Sequence, residues 1–239
     1  MTALRFMAVL CLALCAIQSP AAKEIPLGTL SGPPPKAADM LESAAKLIAA
    51  REPEKAIADF LDVVLLEFND RFKNETARVY SARTAPEAKY YAAQSAKKGE
   101  KSIILNDYWS NALYLKAYAL IDIGRVDDAV ASLEKAAELS PKNAQILAEL
   151  AFAHQIRKEW RVTMDLLKKA AEAAEIYSPE QVKNAELAHA WRGMGFVLVE
   201  QGKLRKAEKI YRKCLELDEN DKRAMAELDY IAQLKAGKH

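Results

Sequence analysis

Cysteine, histidine, glycine and unbalanced charge are all scarce in this chain. Its 239 residues include 3 Cys, 3 His, 8 Gly and 9 Pro. Cys11 and Cys15 fall in an apolar leader, which leaves Cys214 alone beyond it. One thiol cannot close an internal disulfide, so a disulfide-stapled scaffold is excluded for the rest of the chain. So little Gly and Pro excludes collagen-like and low-complexity architectures. Basic residues number 35 and acidic ones 33, a net charge of +2. So small a balance gives no general attraction to nucleic acid, and no nucleic-acid partner is expected. The apolar run Phe6 to Ile17 covers 12 residues, short of the roughly 18 that argue for a membrane span, so no transmembrane helix is expected.

Motifs that carry chemistry are missing too. There is no Gly-rich phosphate loop, no Cys-x-x-Cys pair and no His-Glu-x-x-His. His154 and Cys214 fall at helix-packing positions, where a satisfied histidine and a buried thiol are the ordinary reading. Carboxylates mostly stand at helical offsets from lysines, the pattern of a solvated face. The expectation is a non-enzyme with no catalytic residues, no metal ligands and no cofactor.

Met1 to Ala22 reads as a secretory signal. Arg5 is its only charge, the apolar run follows, and Ser19 and Ala21 are small residues suited to cleavage after Ala21 or Ala22. Leu12 to Cys15 is similar to a lipoprotein signal, but Leu14 stands where that signal has a small residue. The chain is therefore expected to be exported, with the periplasm as its compartment. Residues 23–35 carry Pro26, Gly28, Gly32 and Pro33-Pro34-Pro35, which makes them an extended tether. Folding should begin near Lys36.

What the chain has in abundance is repetition. At an offset of 34, Leu113 falls on Leu147, Ala117 on Ala151, Leu133 on Leu167 and Ala136 on Ala170. A third copy places Trp191, Gly195, Leu198, Gly202, Ala207 and Tyr211 on the same template, 44 residues after the second, so about ten are inserted near Ser178 to Leu187. Within a copy, Leu113, Ala117 and Leu120 form one helical stripe, and Ala129, Leu133 and Ala136 form another. Gly124 between them suits a left-handed turn, Asp127 and Asp128 favour the start of a helix, and Pro141 stops it. Small residues on the facing stripes let two antiparallel helices approach to roughly 8–10 Å.

With these residues in these places the chain resembles the tetratricopeptide-repeat family. The resemblance covers 110–143, 144–177 and 188–221, the middle copy departing at His154 and Thr163. It implies an all-α, right-handed solenoid of antiparallel helix pairs. The region 36–109 should be helical and hold one degenerate unit, with Ala44, Leu47, Ala56, Phe60 and Val63 on the template. Pro86 to Lys98 should be a helix ended by Gly99. Residues 222–239 should form a capping helix, with Ala224, Leu228, Ile231 and Leu234 on one stripe.

The resemblance also implies a site. First helices of such repeats line a concave surface that holds a protein or peptide segment. The residues mapped onto that surface, and taken as partner-binding, are Tyr114, Tyr118, Ile121, Phe152, Gln155, Arg192, Phe196 and Val199. Tyr114, Tyr118, Phe152 and Phe196 should form a continuous apolar strip, with Arg192, Asp122 and Glu200 at its rim. The positions that clamp a terminal carboxylate in the family's chaperone-binding members hold Tyr114, Tyr118, Glu149, His189 and Gly193, so that clamp is absent. The expected function is a non-catalytic adaptor or scaffold in cell-envelope assembly. Two alternatives remain. One is a self-assembling structural component, a homo-oligomer held by the same strip. The other is an envelope factor that grips anionic glycan or lipid through the basic helix carrying Lys203, Arg205, Lys206, Lys209, Arg212 and Lys213.

Overall fold

The computed structural model describes residues 36–237. The expected signal and tether lie outside the described residues. The order of elements is α1 (Ala37–Ala49), α2 (Pro53–Ala56), a π-helical turn (Ile57–Leu61), α3 (Asp62–Phe72), β1 (Arg78–Ala82), α4 (Ala85–Lys98), β2 (Ser102–Asn106), α5 (Tyr108–Asp122), α6 (Val126–Leu139), α7 (Ala144–Ile156), α8 (Trp160–Tyr177), α9 (Glu180–Glu200), α10 (Leu204–Leu217) and α11 (Lys222–Lys235). The helices α5/α6, α7/α8 and α9/α10 pack as consecutive hairpins, and α11 follows on α10. The fold is an α-solenoid.

One turn geometry recurs through it. Gly124, Lys158 and Gly202 stand at equivalent points of the three copies, with φ of 78°, 60° and 69°. In each, that residue's N–H donates three residues back and the next N–H donates five back: Gly124 to Ile121 and Arg125 to Leu120, for example, at 3.0 and 2.8 Å. This pairing satisfies carbonyls that a helix end leaves open. Arg51, φ 64°, makes the same two bonds with Glu52 between α1 and α2. The leading hairpin therefore turns as the repeats do.

Its second helix departs from the template by one residue. Phe60 is half-buried and Val63 is 40% exposed, while Leu61 and Val64 are sealed in the core. The π-helical turn is the cause. Its i→i+5 bonds insert one extra residue and rotate everything beyond by one position. Phe60 and Val63 are thus not the core residues of this unit; Leu61 and Val64 are. Phe68 then stacks on Trp109 of α5 at 5.3 Å, and Phe72 stacks on the same Trp109 at 5.5 Å.

Between the leading hairpin and the first repeat, where the repeat register lapses, the chain is not wholly helical. It forms a β1–α4–β2 unit with two parallel strands, in the register Arg78↔Ser102 to Ala82↔Asn106. Parallel neighbours need a crossover, and α4 supplies it. Thr84 caps α4 by accepting from the Glu87 N–H, and Gly99, φ 69°, ends it. Tyr80, Tyr91 and Ile104 make a small separate core, the two rings stacked at 4.9 Å.

The last repeat shows why its glycine is there. Gly195 is at the position of Ala117 and Ala151, and a Cβ on it would lie 2.6 Å from Tyr211 Cζ. In the other copies the facing residue is Leu133 or Leu167, small enough to leave room for a methyl group. The inserted residues form no long loop: α8 runs to Tyr177, Ser178 and Pro179 link it to α9, and the rest of the insert extends the start of α9 from Glu180.

The concave face and the insert that abuts it

The first helices α5, α7 and α9 lie in a row, with α1 against α5. Among the residues mapped onto their shared face, Tyr114, Tyr118, Ile121, Phe152, Gln155, Arg192, Phe196 and Val199 are all half-buried. Their surroundings divide them. Tyr114, Tyr118 and Ile121 pack on the core of the leading hairpin and first repeat. Phe196 meets Trp160 with ring centroids 6.4 Å apart, and Val199 packs on the terminal core.

Two features interrupt an apolar floor. Burial pushes the Tyr114 phenol's pKa up, opposed by a side-chain hydrogen bond with Gln145. Glu149, on α7, is 4% exposed, and desolvation lifts its carboxyl to about 7. Two of the three expected rim charges, Arg192 and Asp122, have partners. Arg192 Nη1 lies 2.5 Å from Asp221 Oδ2, and the other oxygen of Asp221 accepts the Arg223 and Ala224 N–H groups at the start of α11. Arg192 therefore ties α9 to the cap. Asp122 lies 3.8 Å from Arg51 of the leading hairpin. His189 is desolvated and sits near the Arg192 and Arg223 charges, which lowers its pKa to about 4 and leaves it neutral near pH 7.

The two departures from repeat regularity meet each other. Arg83, just after β1, donates to both oxygens of Glu186 at 2.6 and 2.9 Å. Glu186 belongs to the lengthened start of α9. Thr84 donates to the Tyr177 carbonyl at 2.8 Å, and Tyr90 meets the Tyr177 ring edge-on at 5.4 Å. Thus the βαβ unit rests on the segment inserted between the second and third repeats. It also docks on the loop between α6 and α7, where Ser140 Oγ donates to the Ser81 carbonyl at 2.6 Å and the Lys142 N–H donates to the Tyr91 hydroxyl at 3.0 Å. Glu87, sealed beneath Arg83, accepts the Arg83 N–H at 2.9 Å, and burial raises its carboxyl to about 7.

Neither Arg83 nor Glu186 stands on the repeat template that marks the other site residues. The strands themselves had a signal: Arg78–Ala82 and Ser102–Asn106 are short runs rich in β-branched, aromatic and other apolar residues, flanking a capped helix. The pairing of residues 103 positions apart had none.

The remaining chemistry-bearing groups have structural partners or surroundings. Cys214 is free and buried, burial raises its thiol to about 11, and its nearest acceptors are the carbonyls of Ala188 and Ile210. A thiolate there is strongly disfavoured. His154 Nδ1 contacts Glu159. Among the described residues no cluster of His, Cys, Asp and Glu is placed to hold a metal ion, and no helix is long and apolar enough to cross a membrane. On the basic helix α10, Arg212 pairs with Glu208, and Lys213 lies over the Trp191 ring at 5.5 Å.

Two family models described as tetratricopeptide repeat match the chain, at residues 110–143 and 188–221. No curated protein matches it. Among solved structures, MamA (41-end) from Desulfovibrio magneticus RS-1 is 16% identical with a TM-score of 0.54, covering 86% of this chain and 88% of that one. A Pseudomonas aeruginosa pilF structure is 12% identical with a TM-score of 0.57, covering 84% and 69%. The first repeat domain of Spaghetti (RPAP3), bound to the HSP90 peptide SRMEEVD, is 24% identical with a TM-score of 0.46, covering 53% and 93%.

Proposed function

This chain is a tetratricopeptide-repeat protein, and from that premise we propose that it is a non-catalytic scaffold holding a protein segment in its concave groove. The observation that carries this reading is the row of first helices α5, α7 and α9, which leaves Tyr118, Phe152 and Phe196 only half-buried at equivalent points. Aromatic rings spaced along one face offer burial to an apolar or aromatic segment. Each half-buried ring that finishes its burial would contribute roughly 1 kcal/mol before the cost of ordering the ligand. The paired state of Arg192 leaves burial, more than rim charge, to set affinity.

Export to the periplasm belongs to the same proposal. Its support is the short apolar run behind a single arginine, followed by small residues and a proline-rich tether. N-terminal sequencing of protein recovered from the expressing cell checks it: processing after Ala21 or Ala22 is expected, and an intact Met1 refutes export by this route.

The groove is tested by affinity capture from envelope extract with the wild type and a Tyr118→Ala/Phe152→Ala double variant. The wild type should retain partners that the variant loses while its far-ultraviolet circular dichroism is unchanged. Identical partner sets on both proteins would remove the basis of the proposal.

A further inference from the structure

One charge on the groove floor is left unanswered by the protein itself. Glu149 is 4% exposed. No hydrogen bond or ion pair reaches it among the described residues, and desolvation is the sole influence on its carboxyl. Other acids nearby are matched: Glu186 by Arg83, Asp122 by Arg51 and Asp221 by Arg192. Among the described residues, the side-chain polar atoms that lack a partner and are also sealed from solvent are Arg83 Nε, Glu87 Oε1, Ser95 Oγ and Asn106 Oδ1. The Glu149 oxygens are not among them, so the little of Glu149 that meets solvent is at its carboxylate.

The surroundings describe what would answer that charge. Tyr114 and Tyr118 both feel the Glu149 carboxylate, and Tyr118 keeps part of its surface open. A carboxylate beside aromatic rings in a desolvated wall favours a cation, through the charge pair and through the ring faces. Elsewhere in the protein a largely buried carboxylate is answered from within, where the Arg83 guanidinium lies on both oxygens of Glu186. Tyr114 is within electrostatic reach of Glu186 as well as of Glu149.

We propose that Glu149, with Tyr114 and Tyr118, receives one lysine or arginine side chain of an extended segment lying in the concave groove. This rests on the groove reading above and adds to it the chemistry of the partner. A neutral side chain would leave the buried carboxylate without a counter-charge, and an acidic one would be repelled.

The test is selection of phage-displayed random dodecapeptides on the full chain and, in parallel, on Glu149→Gln, with Glu149→Asp as the variant that keeps the charge. Peptides enriched on the wild type should share one Lys or Arg at a fixed distance from apolar or aromatic residues. Replacing that residue by norleucine in the synthetic peptide should weaken binding about tenfold, in keeping with one charge-assisted contact. The preference should vanish on Glu149→Gln and persist on Glu149→Asp. Enriched peptides with no basic position, or a preference that survives Glu149→Gln, overturn the inference and leave the groove intact. If no peptide is enriched, or if enriched peptides bind equally to Tyr118→Ala/Phe152→Ala, both the inference and the groove reading fall.

Discussion

Replacing Glu149 by glutamine should make this protein more stable above neutral pH, which is the reverse of the usual outcome for a core substitution. The Glu149 carboxyl is 4% exposed, has no hydrogen bond or counter-charge among the described residues, and is lifted by burial from 4.5 to about 7. A group whose folded pKa lies above its unfolded value binds more protons when folded. Its contribution is therefore fully favourable below about pH 4.5 and is lost as pH rises towards 7 and beyond. The lift corresponds to about 3 kcal/mol of penalty on the ionised form, as an upper figure. Glutamine keeps the shape and carries no charge, so at pH 8 the variant should gain on the order of 1–3 kcal/mol. At pH 4.5 the advantage should be absent, because the wild-type group is then largely protonated. Glu87 is also raised to about 7 and moves stability in the same direction, but it is common to both proteins and cancels in the difference. Urea unfolding followed at 222 nm at pH 8 and pH 4.5 measures both values. A variant that is less stable at pH 8, or a difference that does not change with pH, would refute the account of Glu149 as a lone buried charge.

Lys158 holds a left-handed turn, φ 60°, that Gly124 and Gly202 hold in the other repeats; Lys158→Gly should raise stability by about 1 kcal/mol, and Gly124→Ala should lower it by a similar amount, both read from urea midpoints. Gly195→Ala places a methyl group 2.6 Å from the Tyr211 ring and should cost about 1–3 kcal/mol, while adding Tyr211→Leu should recover much of the loss by recreating the Ala–Leu pair of the earlier copies. Arg83→Met leaves Glu186 without its buried partner and should cost about 3–5 kcal/mol, whereas Arg83→Met/Glu186→Met should lie within about 1 kcal/mol of the wild type; a double-mutant cycle with no coupling would show that the βαβ unit is not fastened to α9 through this pair.

Much of the fold was legible because helix packing writes itself into sequence at a fixed period. The matches Leu113/Leu147 and Ala117/Ala151 identify hairpins before any coordinates, and Gly124 and Gly202 mark their turns. Lys158 hid the equivalent turn, since the backbone geometry that favours glycine does not exclude lysine. The leading hairpin was legible as a unit but misread by one residue, because the π-helical turn at Ile57–Leu61 leaves no mark in composition and moves Leu61 and Val64 to the core. At the site, Tyr118, Phe152 and Phe196 could be placed on one face by counting. The ion pair that occupies Arg192, and the lack of a partner for Glu149 among the described residues, could not.

The sequence by itself determined the repeat, the hairpins and the helix faces, because these depend on residues within about 34 positions of one another and on the angular period of a helix. Tertiary structure alone decided how the irregular parts are used. It brought a two-stranded βαβ unit onto the residues inserted between the second and third repeats, joining Arg83 to Glu186 across 103 positions. It also decided that Asp122 and Arg192 on the concave face are matched while Glu149, among the described residues, is not. Those outcomes depend on distances and solvent exclusion between segments far apart in the chain, and neither quantity exists until the solenoid has closed around them.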